Sequence, residues 1–282
     1  MTVRIVCDST ADLDDEFRDA HRIEVVPLQV IIGDQSYRDG IDITPAELYS
    51  RMRRDGVSAR TSQPTPAEFE AVFRGITDAG DSVMCTTISS GLSGTYGSAG
   101  QAAEALPGRP IRVIDTRSVS VGHYALLKEA VRVADAGGDL DAVAAAVDTL
   151  LPQIRLLFTV ETLEYLRRGG RIGGARALLG SMLDVKPILA MEDGSIEPVG
   201  RVRTYRRAVD SCTESVERAA REWGGASVFI AQADAAEAAA QMTARLAEAL
   251  PGTPVTLLVV GPVIGAHAGP GAVGVAFHRP AG

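Results

Sequence analysis

Short apolar runs alternate with helix-period stretches through the first half of the chain. The runs at 4–8, 24–32, 83–88 and 111–115 predict strands, and the amphipathic or Ala-rich stretches at 13–20, 45–55, 66–79, 99–106, 119–136 and 140–151 predict helices. This alternation points to an α/β unit with a parallel sheet. Two of the helix starts share the words Thr44-Pro45-Ala46-Glu47 and Thr65-Pro66-Ala67-Glu68. In each, Thr can cap, Pro fits the first turn and Glu can close a capping box. Around Pro152 the pattern changes. A run at 156–160, a helix at 162–168 and a Gly/Arg-rich turn precede two apolar runs, 187–191 and 196–202, joined through Asp193-Gly194 as a hairpin. Helices at 205–223 and 235–250 then alternate with strands at 227–231 and 255–260, and 273–277 reads as a closing strand. The expectation is two domains: 1–153, an N-terminal parallel-sheet α/β domain, and 154–282, a C-terminal α+β domain with a mixed sheet.

Composition narrows the class. The 282 residues are 46% hydrophobic and 23% charged, and no apolar run approaches the length of a membrane span. The chain enters a strand pattern at once, with no leader-like segment, so a cytoplasmic protein without a transmembrane segment is expected. Cys7, Cys85 and Cys212 are odd in number and far apart, which argues against a disulfide framework and a CxxC metal site; they read as buried small hydrophobes. A net charge of −8, with Lys128 and Lys186 the only lysines, gives no electrostatic footprint for nucleic acid.

Four polar clusters interrupt the scaffold. Asp8-Ser9-Thr10-Ala11-Asp12 ends the first strand, at the edge where open α/β sheets take ligands, although Ser9 or Thr10 could simply cap the next helix. Arg60-Thr61-Ser62-Gln63-Pro64-Thr65-Pro66 is an extended segment pinned by prolines. Ser89-Ser90-Gly91-Leu92-Ser93-Gly94-Thr95-Tyr96 lies between strand and helix, where hydroxyls and exposed N–H groups can hold an anionic head group. It contains neither a P-loop nor, at its final position, a G-x-S-x-G elbow. The fourth, residues 261–271, formally spells a dinucleotide fingerprint at 269–274 but leaves too little chain for a βαβ unit; it places His267 in what reads as a loop. A serine esterase using Ser93 and His267, with Asp8 or Asp115 as orienting acid, is one reading of these clusters. A sugar- or phosphate-ester binder would call for more basic residues than Arg60.

Taken together, residues 8–13, 61–64 and 89–96, the turn Glu164-Tyr165-Leu166-Arg167-Arg168-Gly169-Gly170-Arg171-Ile172-Gly173 and the late Gly265-Ala266-His267 resemble the DegV family in order and spacing over essentially the whole chain. The resemblance implies a non-catalytic carrier that encloses one long-chain fatty acid between its two domains and presents the carboxyl group to a separate fatty acid kinase. It implies a carboxyl site made by Thr61 or Ser62, Ser93, the Gly94 backbone N–H and His267, with Arg171 in kinase docking within a basic run of Arg167, Arg168, Arg171 and Arg176. No metal or cofactor is implied, and ligand exchange would involve at most transient contact with a membrane surface. His123 and Tyr124 stand where smaller or apolar residues are expected, implying a differently shaped pocket there. The energetics suit such a ligand: at roughly 0.8 kcal/mol per methylene, a tail of around sixteen carbons contributes about 12 kcal/mol before ordering costs.

Overall fold

The computed structural model describes residues 2–181 and 185–280. The first half runs through β1 (Val3–Asp8), α1 (Asp15–Ala20), β2 (Glu24–Val26), β3 (Gln29–Ile32), β4 (Gln35–Arg38), α2 (Pro45–Asp55), β5 (Ala59–Ser62), α3 (Pro66–Asp78), β6 (Ser82–Thr87), α4 (Thr95–Glu104), β7 (Ile111–Asp115), α5 (Val121–Asp135) and α6 (Leu140–Leu150). The second half follows with β8 (Arg155–Thr159), α7 (Glu164–Arg168), a 3-10 segment (Gly173–Ser181), β9 (Lys186–Glu192), β10 (Ser195–Val202), α8 (Tyr205–Trp223), β11 (Ser227–Ala233), α9 (Ala236–Ala249), β12 (Val255–Val259), α10 (Pro262–Ala268) and β13 (Ala272–His278).

β2, β1, β6 and β7 form a parallel sheet in that order. All six residues of β6 are buried, as expected of a strand covered on both faces. The second half builds a six-stranded mixed sheet, β10-β9-β8-β13-β11-β12, in which β13 runs antiparallel to both β8 and β11. The α/β class and the parallel and mixed sheets therefore stand as the sequence implied. A small antiparallel sheet, β4-β3-β5, was not anticipated. It arises because the run 24–32 is not one strand. Pro27, which lacks an N–H, separates β2, parallel to β1, from β3, antiparallel to β5.

Both capping boxes form, Thr44 with Glu47 and Thr65 with Glu68, each with Pro in the first turn. The β9–β10 hairpin closes through Asp193 and Gly194, both at positive φ (47° and 82°), the geometry that makes Asp-Gly a hairpin signal. Two sequence expectations need correction. Ser9 and Thr10 do not cap α1: Asp14 does, while Asp8 caps a separate 3-10 turn at Ser9–Ala11. His267 is not in a loop but on the last turn of α10, whose Pro262 occupies the first turn.

The three cysteines are free and buried, their thiols held above the usual range by burial. One apolar cluster joins the two halves, uniting Leu28, Val30 and Tyr49 with Leu156, Leu163 and Val263. The candidate site lies within it.

Candidate functional site

A cavity of about 100 Å³ lies in this shared core. The first half contributes Leu28, Ile88, Leu92 and Val119, and the second contributes Leu156, Phe158, Leu166, Ile196, Ala231 and Val273. The polar side chains on its wall are Thr61, Ser93, Ser120, Arg171 and His267.

Four of these five gather at one place. Thr61 Oγ1 lies 2.8 Å from His267 Nε2, joining β5 to α10 across 206 residues of sequence. Arg171 donates from Nε to the Leu92 carbonyl (2.9 Å) and from Nη1 to the Gly169 carbonyl (2.7 Å), tying the turn after α7 to the loop that presents Ser93. His267 Nδ1 packs against Gly169, where a side chain would collide with the ring, and has no hydrogen-bond partner among the described residues. Burial first, and the nearby Arg171 charge second, hold the His267 pKa down at about 4, so the ring is neutral near pH 7. Ser93 Oγ is 2.8 Å from Thr95 Oγ1 at the start of α4.

The structure thus brings together Thr61, Ser93, Arg171 and His267 and separates the other two residues expected there. Strand alternation along β5 turns Thr61 inward and leaves Ser62 exposed on the opposite face. Gly94 lies beside Ser93 but outside the cavity lining; it is exposed, and the Gln63 side chain occupies the place a Cβ would take. The wall also holds Ser120, which sequence reasoning missed; it adopts φ 52°, ψ −128°, a backbone conformation with no side-chain signature. His123 and Tyr124 are not among the residues that line the cavity. His123 is fully buried against Thr86 (2.9 Å) and Tyr124 packs on Phe17 and Phe229. In the arginine run, Arg167 and Arg168 both pair with Glu164, whose carboxyl they hold down at about 2.

The esterase arrangement is not assembled. A histidine acting as base needs a carboxylate to orient it, yet His267 Nδ1 faces Gly169. The Asp8 carboxylate is occupied by Thr10 and the Ile88 N–H, and Asp115 by Ser90 and the Arg117 N–H. Among the described residues no group of His, Cys, Asp and Glu is arranged to hold a metal ion, and no helix is long and apolar enough to cross a membrane.

The sequence model of the family described as "Uncharacterised protein, DegV family" matches residues 2–279. The chain belongs to the DegV family. It is 39% identical over 279 residues to a DegV domain-containing protein of Deinococcus radiodurans, covering 99% of both chains. Among solved structures it resembles a fatty-acid-binding DegV family protein from Thermus thermophilus, at 35% identity and a TM-score of 0.93, over 99% of this chain and 100% of the other. It also resembles a stearic-acid-binding protein from Eubacterium ventriosum, at 31% identity and a TM-score of 0.91, covering 98% of both. DegV proteins of this fold bind fatty acids.

Proposed function

We propose that this DegV protein binds one long-chain fatty acid in the shared cavity and presents its carboxyl group to a separate fatty acid kinase, itself performing no chemistry. The observation that carries this reading is an apolar cavity whose Thr61, Ser93, Arg171 and His267 converge at one place. The tail lies along Leu156, Phe158, Ala231 and Val273. The carboxylate meets the Thr61–His267 pair and Ser93, with the Arg171 guanidinium supplying the opposite charge. Hydrogen bonds to a charged group contribute around 1.5–3 kcal/mol each, so this set offsets much of the cost of taking the carboxylate out of water.

In the same reading the chain divides at 153/154, where the 3-10 turn Leu151–Gln153 hands α6 on to β8. It works in the cytoplasm without a metal or cofactor and exchanges its ligand in passing contact with membranes. Arg171, fixed by two backbone carbonyls beside the head group, is the residue the kinase reads. The test is native mass spectrometry of protein purified from cells and after incubation with stearic acid. An increment equal to one fatty acid is expected; a protein that stays empty in both preparations overturns the reading. The kinase arm is checked with Arg171→Ala loaded with fatty acid to wild-type occupancy, expected to slow ATP-dependent acyl phosphate formation, whereas turnover equal to wild type removes Arg171 from docking.

A further inference from the structure

We propose that Asp12 and Asp39 are positioning residues for the head-group site: their carboxyl groups grip the first turn of α10, and α10 carries His267 into the cavity wall. The binding part of this proposal rests on the fatty-acid reading. The positioning part does not.

Four residues of the cavity wall, Val263, Ile264, His267 and Ala268, come from α10. The helix starts at Gly261 and has no side-chain cap of its own, which would leave its first backbone N–H groups unpaired. Two carboxyl groups from the other half of the protein take those groups. The Gly261 N–H donates to Asp12 Oδ1 at 2.9 Å, and the Val263 N–H donates to Asp39 Oδ1 at 3.2 Å. Tyr49 on α2 adds a third tie, its hydroxyl donating to the Val260 carbonyl at 2.8 Å.

The grip is itself held from behind. Asp12 accepts from Ser120 through its other oxygen, and Asp39 accepts from Ser9 at 2.7 Å, while Ser9 Oγ accepts the Leu28 N–H at 3.1 Å. Ser120 and Leu28 both face the cavity. Two chains of hydrogen bonds therefore run from cavity-lining residues to the start of α10, one from Ser120 through Asp12 and one from Leu28 through Ser9 and Asp39. Both acids are buried, at 8% and 4% exposure. Burial, with the Asp8 charge adding to it, pushes Asp12 up to about 8 and Asp39 up to about 6. Buried carboxyl groups are costly to keep unless they are hydrogen-bonded. Here each has a backbone N–H of α10 as partner. The cluster at residues 8–12, conspicuous in the sequence, thereby acquires a role that does not involve touching the ligand.

The test follows the His267 ring by NMR in the ligand-free protein, with the signal assigned through His267→Asn. Loosening α10 hydrates the ring, so Asp12→Ala and Asp39→Ala should raise the His267 pKa from about 4 by about a unit or more toward its ordinary value near 6.5. Asp12→Asn and Asp39→Asn keep an acceptor for the helix N–H and should hold it near the wild-type value. Displacement of cis-parinaric acid should weaken about tenfold in the Ala variants and by less than about twofold in the Asn variants. A role in general stability alone would lower the melting temperature and leave the native His267 titration in place. Folded Ala variants with a wild-type His267 pKa, or Asn variants as damaged as Ala, overturn the proposal. Amide exchange in the wild type needs no variant: Gly261 and Val263 should be protected, and exchange at unprotected rates also overturns it. If even the wild type takes up no fatty acid, the carrier reading falls while the His267 titration still decides the grip.

Discussion

Two threonine–histidine pairs, one fully buried and one part-buried, share a contact geometry and differ in where the fold puts them. Thr86 and His123 meet at 2.9 Å between β6 and α5, and Thr61 and His267 meet at 2.8 Å between β5 and α10. In both, Nδ1 has no hydrogen-bond partner among the described residues and burial lowers the imidazole pKa. Yet His123 is sealed among the elements of the first half, whereas His267 stands on a cavity wall with Arg171 and Ser93 beside it. The lesson is that the chemistry of a residue pair does not make a site. The empty space beside it, and the second half of the chain that encloses that space, do.

The largest expected effect comes from removing the space. Ala231→Trp projects a large ring into the cavity and displaces roughly five methylenes of tail, about 4 kcal/mol or a thousandfold loss of fatty-acid affinity. The melting curve of the variant reports the accompanying strain. Unchanged affinity would show that the ligand does not use this cavity.

Acidification should come next. The folded-state pKa of His267 lies at about 4, below the ordinary 6.5, so between those values the unfolded chain binds the proton more readily. Stability from this group is complete above pH 6.5 and declines as pH falls toward 4, by up to about 3 kcal/mol. Urea unfolding of His267→Gln should lose that part of the pH dependence relative to wild type. The contribution of His123, of the same sign, remains.

Removing each threonine hydroxyl should then separate the pairs directly. Thr61→Val is expected to weaken fatty-acid binding about tenfold, and Thr86→Val to lower stability by around 1 kcal/mol without changing affinity. Equal losses of affinity would erase the distinction. The smallest effect belongs to Ser62→Ala, whose side chain faces solvent: affinity should stay within about twofold in a fluorescence displacement assay.

Local signals carried much of this architecture. Capping boxes at Thr44 and Thr65, the Asp193-Gly194 turn and the apolar periods place most elements near their observed bounds, because each depends on neighbours in sequence. What failed depended on distant partners. The run 24–32 splits because its two parts pair with different strands. α10 is short, and its first N–H groups pair with Asp12 and Asp39 from more than two hundred residues away. At the site, Thr61, Ser93 and His267 were legible as polar residues without structural work, and family spacing grouped them. Choosing Thr61 over Ser62 required the pleat of β5, and the part played by Ser120 required its unusual backbone.

The most direct test is a carbon-13 spectrum of the protein mixed with stearic acid labelled at the carboxyl carbon. One bound resonance distinct from the free acid is predicted, shifted by Thr61→Val and His267→Asn and indifferent to Thr86→Val. A spectrum showing only free acid, or a bound carboxyl that ignores Thr61 and His267, would contradict the account.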